Sequence, residues 1–290
     1  MRGDTVRVLD NLSTGSLANL APVARDVEFI QGDLRDPDIV ARAVAGSELI
    51  FHQGALSSVP HSIQDPMTAN EVNVRGTLNL LLAARTAHVR RIVVASSASV
   101  YGDNPIVPKI ETMAAELRSP YALTKLATEQ YACIFAQLYD LEAVALRYFN
   151  VFGPRQDPRS HYSGVIARFC TNALHGKPCL IYGDGLQSRD FVSVTDVVQA
   201  NLLAATAPEA NGQAFNIACG VQTNLLTIVD LLRALNNRSI EIVYKAPRSG
   251  DVRHSLADLT KSQTLLGYSP RVSFAEGLRQ TFAWYQQDLM

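Results

Sequence analysis

Over the first 150 positions, short apolar runs alternate with longer stretches whose apolar residues recur every three or four positions. The runs 5–9, 27–30, 48–52, 91–96 and 143–148 are rich in Val, Ile, Leu and Phe and read as strands. Between them, 36–45, 68–88 and 120–139 carry helical spacing. That alternation predicts βαβ units and a parallel sheet covered on both faces. After Asn150 the texture changes. Gly153-Pro154, Asp157-Pro158 and Gly183-Asp184-Gly185 break the chain into loops around helices expected at 163–175, 195–206 and 224–236. The segment Ala214-Phe215-Asn216-Ile217-Ala218 reads as a strand returning to the sheet, and an amphipathic helix is expected near 275–288. The reading gives a sheet-containing domain over 1–148, with 195–238 returning to it, and a smaller lobe from 149–194 and 239–290. Open α/β sheets bind ligands at the carboxyl ends of their strands, where such a lobe would sit.

Composition narrows the partners. Over 290 residues, 26 Lys and Arg stand against 27 Asp and Glu, so no bulk field draws the chain to nucleic acid or an anionic membrane. The four cysteines, Cys133, Cys170, Cys179 and Cys219, lack C-x-x-C spacing, and the six histidines form no H-E-x-x-H pattern. No metal site is expected, and the thiols are expected reduced and mostly buried. Charges interrupt every apolar stretch short of the ~18 residues a membrane span needs, and no signal sequence opens the chain. A soluble, cytoplasmic protein acting on a small molecule is the expectation.

The sharpest chemical pattern is SPYALTK at 119–125. Ser119 as cap and Pro120 at the first helical position start a helix, which places Tyr121 and Lys125, four apart, on one face. An ammonium beside a phenol favours the phenolate and brings the tyrosine from ~10 toward the range of a general base. Y-x-x-x-K alone is common in helices. It gains meaning from RRIVVASSASVYG at 90–102, an apolar strand running into Ser96, Ser97 and Ser99 at its ligand-facing end. Serine hydroxyls there can share a substrate proton with Tyr121, and the set reads as an oxidoreductase-type site.

With these motifs in hand, the chain resembles the extended short-chain dehydrogenase/reductases, in the NAD-dependent epimerase/dehydratase group, and within it the UDP-hexose and UDP-N-acetylhexosamine 4-epimerases. The likeness runs through VLDNLSTG (8–15), GDLRD (32–36), NVRGTLNLL (73–81), SSASVYGDNP (96–105), YALTK (121–125), LRYFNVFGPRQDP (146–158), YSGVI (162–166), GDGLQSRDFVSVTD (183–196) and GDVRHSLAD (250–258). It implies a Rossmann-like doubly wound parallel sheet with a smaller C-terminal substrate lobe, NAD as cofactor, a UDP-sugar as substrate and a homodimer. Tyr121 becomes the base, Ser97 its partner with Ser96 or Ser99 assisting, and Lys125 the ligand of the nicotinamide ribose. Asp10 and Asn11 fall to the adenosine ribose, where a carboxylate repels the 2′-phosphate of NADP. Asp33 and Leu34 flank adenine, and Gln53, Gly54, Ala55 and Asn73 line the cofactor. Ser99, Asn150, Arg189, Arg248, Asp251 and Ser255 fall to the nucleotide sugar, the arginines as forked phosphate ligands.

Two features narrow the implied reaction. Ala98 stands where related dehydratases and decarboxylases carry acidic residues, which leaves C4 epimerisation through a 4-keto sugar. Ser255 stands where strict UDP-glucose/galactose enzymes carry a bulky side chain, so room for an N-acetyl group favours UDP-GlcNAc and UDP-GalNAc. UDP-glucose or UDP-glucuronate is the alternative. The resemblance also implies a first strand and a G-x-x-G-x-x-G loop ahead of Asp10 that this sequence does not contain. Gly3 reads as the C-cap of a preceding helix, with Met1 and Arg2 its last turn. Two unpaired strand edges are then expected, and three readings: an active epimerase whose start lies upstream, a remnant that only binds ligand, or a dimerisation partner pairing through 73–88 and 120–138.

Overall fold

The computed structural model describes residues 3–158, 164–247 and 253–288. The chain forms two compact units: Met1–Ser96, Ser119–Ala145 and Ala210–Gln213 make one; Ser97–Arg118, Leu146–Glu209 and Ala214–Met290 make the other. Of residues 195–238, Ala210–Gln213 lie in the first unit and the rest in the second. Among the described residues, no helix is long and apolar enough to cross a membrane. None of the four cysteines forms a disulfide; Cys170 and Cys179 are buried and Cys133 and Cys219 partly so.

The first unit begins with strands β1 (Val6–Asp10) and β2 (Val27–Gln31), paired in parallel from Val6↔Val27 to Asp10↔Gln31. Gly3, with φ +81°, has the left-handed backbone expected of a C-cap glycine. Met1 and Arg2 lie outside the described residues. Helix α1 (Pro37–Val44) starts because the Asp36 carboxylate accepts from the Asp38 and Ile39 amides and Pro37 fits the first helical position. Strand β3 (Leu49–His52) follows, then short helices α2 (Val59–Gln64) and α3 (Pro66–Asn70), each opened by a cap and a proline.

The helix expected over 68–88 is not continuous. A wide π turn, Glu71–Arg75, separates α3 from α4 (Gly76–Thr86). At its end Gly76 lies against Leu34, so close that a Cβ there would come within 2.9 Å of the Leu34 Cβ. The unit continues with β4 (Arg91–Ser97), α5 (Pro120–Leu138) and β5 (Glu142–Tyr148). Strands β3 and β4 pair in parallel from Leu49↔Arg91 to His52↔Val94. The sheet order is β3-β4-β5-β9, β9 being Gln213–Ile217, so the returning strand is present. Strands β1 and β2 form a separate two-stranded sheet. Among the described residues β1 pairs only with β2 and β3 only with β4, the two open edges the sequence leads one to expect.

The second unit holds β6 (Asn150–Phe152), α6 (Val165–Leu174), β7 (Cys179–Tyr182), β8 (Ser188–Ser193), α7 (Val194–Ala204), β10 (Gln222–Asn224), α8 (Leu225–Asn236), β11 (Ile242–Lys245), α9 (Thr260–Leu266) and α10 (Phe274–Asp288). One sheet has the order β10-β8-β6, and β7 pairs in parallel with β11. Phe152, Ile166, Phe191, Ile228 and Phe282 are among the side chains closing a core between these strands and helices α6, α8 and α10. Five strands here went unread: β7 and β11 are apolar but only four residues long, and Gln222-Thr223-Asn224 shows no period-2 alternation of apolar residues.

Candidate active site and ligand pocket

In the first unit, Asp10 ends β1 with an exposed carboxylate whose Oδ1 accepts from the Leu12 amide at 2.6 Å. Asn11 donates through Nδ2 to Asp33 Oδ2 at 2.8 Å. Arg35 forks onto the same carboxylate at 2.9 and 2.8 Å and holds the Asp33 carboxyl well below the ordinary carboxylate range. Leu34 packs beneath Gly54, where an added Cβ would stand 3.2 Å from Leu34 Cδ1. Gln53, Gly54 and Ala55 leave the end of β3. Asn73, in the π turn, is buried and uses both ends of its amide. Its Oδ1 accepts from the Leu56 amide at 2.8 Å, and its Nδ2 donates to Leu56 O at 3.1 Å and to Thr124 Oγ1 at 2.9 Å. Asn73 thereby fastens the 53–56 loop to α5.

Helix α5 starts as the sequence predicts: Ser119 Oγ accepts from the Ala122 amide at 3.1 Å and Pro120 occupies the first turn. The Tyr121 amide donates to Ser62 Oγ at 3.0 Å, which fixes the first turn of α5 to α2. Lys125 is 5% exposed, and its ammonium donates to Ala95 O at 2.8 Å. Burial brings its pKa down to about 8. The next residue of β4, Ser96, donates through Oγ to Glu129 Oε2 at 2.7 Å, and Glu129 is itself buried. Two consecutive residues of β4 are therefore gripped by one face of α5. Sequence reading missed Glu129. Its signal was the spacing, since Tyr121, Lys125 and Glu129 recur every four residues.

Behind Lys125, His52 is buried with Nε2 2.9 Å from Thr77 Oγ1. Burial, with the Lys125 charge in support, pushes its imidazole down to about 3. Ser97 and Ser99 open the second unit. Ser97 Oγ accepts from the Ser99 amide at 3.1 Å and caps a short helical turn, Ala98–Tyr101. Ser99 Oγ is buried and has no hydrogen-bond partner among the described residues.

Asn150 and Arg189 come together in the second unit, where both line a cavity of about 290 Å³. Arg189 donates through Nη1 to Ser188 O at 3.0 Å. Beside it Asp190 is fully buried and accepts from the Cys219, Gly220 and Ala257 amides at 2.8, 3.1 and 3.1 Å. Burial nevertheless pushes its carboxyl up to about 6. Ser255 is partly buried, and its amide donates to Ser188 O at 3.1 Å. Its segment is held to β8 by Ser188 Oγ against His254 Nδ1 at 2.8 Å, and to the preceding turn by a forked Arg253–Asp184 pair at 2.9 and 2.8 Å. Ser255 does not line the cavity. Arg248 and Asp251 lie outside the described residues.

This arrangement can hold a phenol and an ammonium on one helix face at a strand end, and an anionic ligand in a pocket of its own. Residues 1–218 match the NAD dependent epimerase/dehydratase family. A UDP-glucose 4-epimerase of Mycolicibacterium smegmatis is 39% identical over 288 residues, which is 98% of this chain and 91% of that protein. Among solved structures, the chain is similar to a UDP-N-acetylglucosamine 4-epimerase from Methanobrevibacter ruminantium M1 in complex with UDP-N-acetylmuramic acid. The TM-score is 0.94 at 36% identity, over 98% of this chain and 91% of that one. It is also similar to a Thermus thermophilus UDP-glucose 4-epimerase in complex with NAD, with a TM-score of 0.88 at 36% identity, over 97% of this chain and 91% of that one.

Proposed function

The chain belongs to the NAD-dependent epimerase/dehydratase family, and we propose that it inverts C4 of a UDP-hexose, with UDP-GlcNAc and UDP-GalNAc as the favoured pair. The observation that carries this reading is the first two turns of α5, where Tyr121 and a buried Lys125 share the helix face that grips the end of β4. In this role Tyr121 takes the proton of the C4 hydroxyl and later returns it. Lys125 keeps the phenol acidic by its charge, and a share of the same proton is assigned to Ser97 by resemblance alone. The acceptors at the end of β1 fit NAD: the Asp10 carboxylate can accept from a pair of ribose hydroxyls and repels a phosphate. Asp10, Asn11, Asp33, Leu34 and the 53–55 loop would hold the cofactor, which when bound accepts and returns hydride at C4. Asn150 and Arg189 bind the diphosphate, with Arg248 and Asp251 assigned to the same nucleotide by resemblance alone. Ser99, with a buried hydroxyl awaiting a partner, takes a sugar hydroxyl.

The preference for an N-acetylated sugar rests on the resemblance alone, through the small Ser255, which does not line the cavity. A second reading, UDP-glucose as the working substrate, draws on the name of the Mycolicibacterium relative. A homodimer fits the exposed Leu82 on α4 and Leu123, Ile134 and Leu138 on α5, which are 43 to 68% exposed. The deciding experiment incubates the protein with NAD and UDP-GlcNAc, and separately with UDP-glucose, and follows the C4 epimers. Turnover of the acetylated sugar that disappears in Tyr121→Phe supports the proposal. Turnover of UDP-glucose alone transfers it to the second reading, and turnover that survives Tyr121→Phe removes the base assignment.

A further inference from the structure

Arg189 and Asp190 are consecutive in β8, so their side chains leave opposite faces of the strand. Arg189 lines the cavity of the second unit, whereas Asp190 is fully buried and does not line it. The two oxygens of the Asp190 carboxylate serve different segments. Oδ1 accepts from the Cys219 amide at 2.8 Å and Oδ2 from the Ala257 amide at 3.1 Å, with the Gly220 amide shared between them at 3.2 and 3.1 Å. The first segment runs into β10, which pairs with β8 through Thr223↔Arg189 and leads to Leu225, a wall of the cavity. The second carries His254, which bridges to Ser188, and Ser255, whose amide donates to Ser188 O at 3.1 Å. The strand that presents Arg189 is flanked by both segments, and one buried carboxylate ties down both. A neutral acid cannot do the same. Its hydrogen occupies one of the two oxygens, which then meets an amide N–H donor to donor, and one segment loses its acceptor.

We propose that Asp190 is a positioning residue for the nucleotide sugar: by holding both segments that flank β8 it fixes Arg189 in the cavity, and freeing either segment loosens the grip on the diphosphate. This rests on the reading that Arg189 binds the diphosphate. Burial pushes the Asp190 carboxyl up to about 6, which brings its protonation within reach of mild acid. The ionised form is the one that holds both segments, so affinity is full above pH 6 and falls as pH drops through it. Besides Arg189, the titratable groups on the elements packed around the carboxylate are Cys219 on the first segment, His254 and Asp258 on the second, Asp196 at the start of α7 and Tyr268 after α9. Burial raises both the Cys219 thiol and the Tyr268 phenol, so neither ionises in acid. His254 is the group whose effect must be separated. A direct effect of the Asp190 charge would have the opposite sign, because removing a negative charge beside an anion site strengthens anion binding.

The test is isothermal titration calorimetry on the full chain with excess NAD, using UDP-GlcNAc and UDP-glucose at pH 7 and pH 5, between which the diphosphate of neither titrates. For the unaltered chain the dissociation constant is expected to rise about tenfold from pH 7 to pH 5, as one linked carboxyl near 6 requires. Asp190→Asn keeps the shape but places an NH₂ against an amide N–H. It is expected to bind about tenfold more weakly at pH 7, with the pH difference gone and NAD affinity, titrated separately, unchanged. His254→Gln is expected to keep the pH difference. The pH series and His254→Gln carry the test if Asp190→Asn does not fold by circular dichroism. Three results overturn the inference and leave the proposed function standing: an affinity flat between pH 7 and pH 5, a folded Asp190→Asn that binds as tightly as the unaltered chain or more so, or a pH difference that survives Asp190→Asn and disappears in His254→Gln. An Asp190→Asn variant that weakens NAD as much as the UDP-sugar also overturns it, since the loss is then general. If neither UDP-sugar binds the unaltered chain at pH 7, the proposed function falls, and this inference with it.

Discussion

At the scale of single residues, Lys125 is a lysine whose charge is within reach of ordinary pH. Its ammonium sits in a buried site and its pKa comes down to about 8, so it begins to lose its proton above neutrality. If that charge keeps Tyr121 acidic, kcat/KM falls above pH 8, approaching tenfold per pH unit on the alkaline side. Lys125→Arg lowers the overall rate, since a guanidinium is larger, but it stays protonated and the limb near pH 8 disappears. A wild-type profile flat to pH 10 would remove Lys125 from this role. His52 makes a separate prediction about stability. Its folded-state value of about 3 lies below the ~6.5 of an unfolded histidine, so between those values the unfolded chain binds the extra proton. Stability is therefore present above pH 6.5 and lost as pH falls. The loss reaches about 2 kcal/mol by pH 5, read by urea unfolding, and His52→Gln flattens the curve. Tyr121 and Lys125 were legible in the sequence because helical spacing and a Ser-Pro start are local signals. His52 was not, because a histidine closing an apolar strand carries no mark of what will bury it.

At the scale of elements, the end of β4 is held by α5 through Lys125 to Ala95 O and Glu129 to Ser96 Oγ. Ser96, expected among the catalytic hydroxyls, donates its hydroxyl proton to Glu129. Glu129 then acts as a positioning residue. Glu129→Ala removes the acceptor of a buried hydroxyl and is expected to cost about 1–3 kcal/mol in urea unfolding. It should also lower kcat more than it raises KM, and Glu129→Gln, which keeps an acceptor oxygen, should restore most of both. An unchanged kcat in a folded Glu129→Ala would confine the residue to stability. The π turn belongs to the same scale. The spacing over 68–88 reads as one helix, yet the extra residue of a π turn places Asn73 where its amide spans from Leu56 to Thr124. Periodicity shows that a segment is helical. It does not show where a turn widens, because contacts such as Asn73 with Leu56 and Thr124 lie 17 and 51 residues away in sequence.

At the scale of the whole molecule, the βαβ rhythm of the first half and the looped texture of the second were legible. The unequal burial of the strands was not. Strands β1 and β2 look as apolar in sequence as β4, yet no residue of β1 or β2 is fully buried, while six of the seven in β4 are. The difference follows from pairing: β4 lies inside a four-stranded order, whereas β1 has one open edge and leaves Val6 43% exposed. Backbone bonds that water can reach open at low cost. In native-state hydrogen exchange the amides of β1 should therefore exchange far sooner than those of β4, and those of α8, seated on the core of the second unit, should be among the slowest. Ligands should then act separately. If Asp10 holds NAD as proposed, NAD slows exchange along β1 by up to about 100-fold at a hundredfold excess over its dissociation constant, because stabilisation by a ligand grows with the logarithm of its excess. UDP slows exchange around Arg189 and the cavity and leaves β1 unchanged. Protection of β1 equal to that of β4 before any ligand is added would show that its open edge carries no energetic cost. Protection of β1 by UDP alone would show that the two ligands do not divide between the units as the site residues assign them.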